Sequence, residues 1–135
     1  MIPELTLFNA GAAQPVATAI DVAVTRGARR QGLLGRDRLD PDAGLLLAPC
    51  MAIHTAFMRF ALDVAFVDRT GRVLKTAHAL PPWRVAVSSR AHAVIELAAG
   101  TLKARDVRVG DRLYLKAIGA VGDITPATLH GMVQA

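Results

Sequence analysis

Polar and apolar positions along this chain alternate in short runs broken by turn residues. Residues 4–8 (Glu-Leu-Thr-Leu-Phe) alternate as a strand with one buried face does. Asn9, Gly11 and Pro15 mark a loop. A longer alternation follows over residues 16–24, with Val16, Thr18, Ile20 and Val22 on one side and Ala17, Ala19, Asp21 and Ala23 on the other. The rhythm changes at Thr25, whose hydroxyl suits a helix N-cap because it can accept a bond from a free first-turn amide. A helix is predicted over Arg26–Leu34, with Ala28, Gln31, Gly32 and Leu34 along its inner side. Gly32 would let it approach a sheet closely, and Gly35 stands where a left-handed C-cap belongs.

Pro41 and its flanking acids make a turn, and Leu45, Leu46 and Leu47 then read as a buried strand ending at Pro49. Residues 53–59 read as extended, and Asp63–Asp68 as a strand with Val64 and Phe66 inward. Asp68-Arg69-Thr70-Gly71 is a turn that returns the chain along Arg72–Ala79, a hairpin. Pro81 and Pro82 cannot donate to a ladder, so Leu80–Trp83 is a loop. Ala93–Leu97 is another strand. A helical turn follows near Leu102–Arg105, then a turn at Val109-Gly110-Asp111 and a closing strand over Arg112–Ile118.

The expected class is therefore mainly β: a small sandwich or distorted barrel of about six or seven strands, with one short helix near residues 25–34. A parallel α/β fold would require more crossover helices. Residues 1–118 read as one domain. Residues 119–135 read as a C-terminal extension with a short helical stretch over Ala127–Val133.

Composition narrows the function classes. A hydrophobic share of 53% argues against disorder, and no apolar run reaches the length of a membrane span. The start, Met1-Ile2-Pro3-Glu4, lacks the pattern of an export signal, and Cys50 is the only cysteine. The expectation is a cytoplasmic protein with no membrane partner. Net charge is +5, and 13 of 16 basic residues are Arg. The cluster Arg26, Arg29, Arg30, Arg36 and Arg38 suggests an anion patch centred on Arg29, Arg30 and Arg36. Asp37, Asp40 and Asp42 interleave with it, which disfavours nucleic acid and points to local ion pairs, with Arg36 near Asp40 or Asp42.

The chemistry gathers in residues 49–66. Cys50, His54 and Met58 recur every four residues, so they share a side on a strand or a helix. A Cys50–His54 pair oriented by Asp63 would be a nucleophilic arrangement. Against it, a lone Cys behaves as a small hydrophobe and a core His as a backbone partner. Cys50, His54, His78 and His92, with Asp63, are the candidate metal ligands, but no pair has zinc-finger spacing, so neither metal nor cofactor is expected. Asp63 opens a strand, where a carboxylate commonly accepts backbone amides. Trp83, on its proline-fixed loop, could cap the core or serve as a ligand platform.

The order of motifs also resembles a known family. It runs from Thr25 through Arg29-Arg30-Gln31-Gly32-Leu33-Leu34-Gly35-Arg36, Gly44-Leu45-Leu46-Leu47, Cys50, His54-Thr55-x-x-Met58-Arg59 and Asp63-Val64-x-Phe66-x-Asp68 to Gly71-Arg72-Val73. It continues with Leu80-Pro81-Pro82-Trp83, Glu96-Leu97-x-x-Gly100 and Val109-Gly110-Asp111-Arg112. Over about residues 16–115 this is similar to the prokaryotic family called domain of unknown function 192. The resemblance implies a sandwich-type, mainly β domain with a short helix, and no established reaction. Together these features predict a non-catalytic domain binding a small ligand or a protein through Cys50, His54, Thr55, Met58, Asp63 and Trp83. The alternatives are a Cys/His- or metal-dependent enzyme and nucleic-acid binding through Arg26–Arg38.

Overall fold

Every residue of Leu62–Val67 and of Ala93–Ala98 is buried. Neither segment has a solvent face, so both lie in the middle of a sheet covered on its two sides. The computed structural model describes residues 5–117 and 122–129. In chain order its elements are β1 (Leu5–Asn9), β2 (Ala17–Ala23), α1 (Arg26–Gln31), β3 (Ala43–Leu47), β4 (Ala52–His54), β5 (Leu62–Val67), β6 (Val73–Leu80), β7 (Val85–Val87), β8 (Ala93–Ala98), α2 (Thr101–Ala104) and β9 (Leu113–Ala117). The fold is mainly β. Seven strands form one mixed sheet in the order β6-β5-β8-β3-β2-β1-β9, and β4 and β7 pair separately. That short pair accounts for the strands beyond the predicted count.

Alternating side chains divide the core between the two faces of the sheet. Leu46, Ala65, Val67, Ile95 and Leu97 pack on one side with Leu5, Leu7 and Leu113. Leu45, Leu47, Leu62, Val64, Phe66 and Val94 pack on the other with Leu33, Ile53 and Met58. The inward positions expected for Val64 and Phe66 hold, but Ala65 and Val67 are equally buried on the opposite face. In β2 the predicted two-faced alternation slips. The register against β1 shifts between Leu5 and Leu7, and both Val16 and Ala17 enter the first cluster.

Among the described residues only β2 and β3 run parallel. Parallel neighbours cannot be joined by a tight turn, so the chain makes a crossover through α1. Thr25 caps this helix, accepting from Ala28 N at 3.1 Å. The helix is shorter than predicted. It ends at Gly32, whose φ of +49° takes the chain out of helical geometry, so Gly32 is a terminus and not a point of close approach. The inner side holds in part: Ala28 and Leu34 pack on the second cluster, but no residue of α1 is fully buried, Gln31 donates to Leu34 O, and the buried anchor is Leu33 just past the helix.

The sheet curls until its two edge strands meet at one end. There Arg72 bridges Arg112, Leu113 N donates to Gly71 O and Val73 N donates to Asp111 O, each bond 2.8 Å. The barrel does not close along its length. Beyond β9, Ile124 pairs with Leu115, and Ile124 and Leu129 join the first cluster. The predicted helical stretch Ala127–Val133 lies partly outside the described residues; a helical turn is present at 126–129. Among the described residues no helix is long and apolar enough to cross a membrane.

Candidate functional site

The crossover leaves space beneath it. Between α1, the segment 50–58 and the sheet lies a cavity of about 330 Å³. The sheet contributes Leu47, Leu62 and Glu96. One wall is Cys50, Ile53, His54 and Met58; the other is Leu33 and Leu34, with Arg26, Arg29 and Arg30 of α1. Apolar walls with a few convergent polar groups are the usual make-up of small-molecule sites.

Glu96 is the unusual member. It sits in β8 with Leu45 of β3 on one side and Val64 of β5 on the other, and it is only 6% exposed. No side chain or backbone group among the described residues hydrogen-bonds its carboxylate. Burial pushes its pKa up to about 7, and the charge of Arg36 only partly offsets this. Arg36 itself is held by Asp21 at 3.4 Å, not by Asp40 or Asp42 as expected; those acids pair with Arg38 and Arg105. Glu96 was absent from the predicted site. Its signal was a lone charge in the otherwise apolar Ala93–Ala98.

The predicted set is divided by the structure. Cys50, His54 and Met58 do line one cavity. The Cys50 thiol, however, donates to Ala52 O at 3.2 Å. Burial pushes this thiol up, and the nearby Glu96 acts in the same direction, so the neutral thiol is favoured. Asp63 is not with them. It lies buried on the opposite face and accepts three backbone amides, from Ala79 (2.8 Å), Gly100 (3.0 Å) and Leu102 (2.9 Å). It therefore orients no imidazole, and its work is to tie β6 and α2 to β5. Among the described residues no three His, Cys, Asp or Glu side chains gather as a metal site.

Thr55 and Trp83 also stand apart from the cavity. Residues 55–59 form a turn, not the extended stretch predicted. Thr55 is buried; its hydroxyl donates to Pro81 O at 2.7 Å and accepts from Arg84 N at 2.8 Å. Trp83 N donates to Thr55 O at 3.0 Å, so Thr55 staples the proline loop to this turn. Trp83 is 61% exposed, its ring packing edge-on against Phe57, which is 72% exposed. In the predicted anion patch, Arg29 and Arg30 reach the cavity, whereas Arg36 is paired outside it. The Arg29 guanidinium also donates to Val24 O at 2.6 Å.

Fold and cavity together define a small mixed-sheet domain with a pocket under the parallel β2–β3 crossover. The chain belongs to the DUF192 family, domain of unknown function 192, described as an uncharacterized ACR, which it matches over residues 7–115. A UPF0127 protein of Pyrococcus furiosus is 40% identical over 63 residues, 46% of this chain and 53% of that protein; the match spans about half the length of that relative. Two solved structures share the fold. A Sinorhizobium meliloti 1021 protein described as a "putative transcription regulator" superposes with a TM-score of 0.71 at 26% identity, covering 86% of this chain and 93% of the other. A protein of unknown function from Novosphingobium aromaticivorans DSM 12444 also gives 0.71, at 21% identity and 83% coverage of each chain. The family has no established function.

Proposed function

We propose that the protein is a small-ligand-binding domain and that the cavity under α1 is its site. The observation that carries this is the Glu96 carboxylate, without a hydrogen-bond partner among the described residues, in an apolar sheet and facing a space large enough to admit a ligand. An acid without a donor is costly to bury, and such positions mark sites where a ligand supplies the missing bond. Binding is preferred to catalysis because the Cys50 thiol is held neutral and Asp63 lies on the other face. The test is a fragment screen by methyl NMR. Hits should shift the methyls of Met58, Leu62 and Leu33 together. Shifts scattered over the surface, or absent throughout a broad library, would refute the proposal.

A second reading is nucleic-acid binding, favoured by the description of the Sinorhizobium neighbour together with the Arg residues of α1. Ion pairs at Arg36–Asp21, Arg38–Asp40 and Arg59–Asp37 neutralise part of that face, which supports the first reading over this one. A mobility shift that weakens steeply with salt would reverse that order.

A further inference from the structure

Resting on the cavity being a ligand site, we infer that its ligand is a small zwitterion: an ammonium-type head on Glu96, a short apolar stem, and an acidic group at Arg26 and Arg30. The two ends of the cavity make opposite demands. At the sheet, Glu96 lies between Leu45 and Val64, and its carboxylate accepts no hydrogen bond among the described residues. A group entering there meets a carboxylate whose open valence is for N–H or O–H. A cationic head satisfies it best, because charge-assisted bonds are the strongest. The raised pKa fits this arrangement: the empty site holds its proton readily, and a cation replaces it.

On the α1 side the charge is reversed. Arg29 already donates to Val24 O, but Arg26 and Arg30 have no ion pair among the described residues. Both line the cavity and are free to take a carboxylate or phosphate. Beside these charged groups, Leu47, Leu62, Ile53 and Met58 line the cavity with apolar side chains. A volume of about 330 Å³ lies at the small end of the range for ligand sites, which favours a compact ligand.

Three probes separate the demands: 6-aminohexanoate carries both groups, hexanoate only the acid and hexylamine only the amine. Affinities are read from methyl shifts of Met58 and Leu62 in the wild type, Glu96→Gln and an Arg26→Ala/Arg30→Ala variant. The expected result is tightest binding of 6-aminohexanoate. Glu96→Gln should weaken both amines by about 10- to 100-fold and leave hexanoate unchanged. The double arginine variant should weaken both acids and leave hexylamine unchanged. If hexanoate binds as tightly as 6-aminohexanoate, or Glu96→Gln leaves the amines unaffected, the zwitterion assignment is overturned while the cavity remains a ligand site. If none of the three shifts those methyls, the assignment is likewise overturned, and the wider fragment screen decides the cavity's role separately.

Discussion

The carbonyl of Leu113 occupies the place where a side chain on Gly71 would begin. Gly71 also has φ of +90°, so two constraints fix glycine where the edge strands meet. Gly71→Ala should cost about 2–4 kcal/mol, combining left-handed strain with displacement of a backbone carbonyl. Gly110 has a similar φ of +96° but open space around it. Gly110→Ala should therefore cost only the conformational part, about 1–2 kcal/mol. Urea denaturation of both variants checks the ranking, and equal losses would show that the edge contact adds nothing.

Glu96 makes stability depend on pH in an unusual direction. Its folded pKa is raised, so the native state holds a proton that the unfolded chain releases earlier. The group's contribution is fully present below the ordinary glutamate range and is lost as pH rises through about 7. The loss should approach roughly 3 kcal/mol by pH 8.5. Glu96→Gln should flatten that slope and be more stable than wild type at pH 8.5. Denaturation midpoints at pH 5, 7 and 8.5 measure both effects.

Asp63 should respond differently. An amide can oppose only part of its three donors and turns its own NH2 group toward the rest. Asp63→Asn should cost about 3 kcal/mol at neutral pH. Amide exchange should accelerate at Ala79, Gly100 and Leu102, the three donors. Unchanged exchange at those sites would contradict the assigned role.

Thr55→Val retains shape and removes the hydroxyl that bridges Pro81 and Arg84. The expected cost is about 1–3 kcal/mol, because the Arg84 amide loses its acceptor. Trp83 is the only tryptophan, so its fluorescence anisotropy reports this loop alone. Anisotropy should fall in the variant before global unfolding begins.

Cys50 should alkylate slowly. Its thiol is half-buried, bonded to Ala52 O and disfavoured as thiolate. Iodoacetamide at pH 8 should modify the native protein at least about tenfold more slowly than the urea-unfolded chain. Equal rates would restore the nucleophilic alternative.

Much of the framework was legible because it rests on local rules. Thr25 announced the start of α1, and Asp68–Gly71 announced the hairpin. The alternation of residues 4–8 announced β1. What was hidden depends on contacts distant in sequence. The β2 alternation is broken by its register against β1. The short β7 gains strand geometry only by pairing with β4. Cys50, His54 and Met58 were grouped because their spacing is local, and all three line the cavity. Asp63 was grouped with them by proximity in sequence, yet strand alternation sends it to the other face. Glu96 lies far along the chain; its lone charge in an apolar run was legible, but its place between Leu45 and Val64 comes from the β3-β8-β5 pairing.

Phe57 and Trp83 each hold φ of +66° and turn a large ring to water. Both features work against folding: the backbone geometry suits glycine, and the exposed ring gains little burial. Thr55 and the surrounding hydrogen bonds keep them there. Selection for thermal resistance alone would drive both positions toward glycine or asparagine. In a mutant library sorted by heat, residues 57 and 83 are therefore where the surviving sequences should depart first from the wild type.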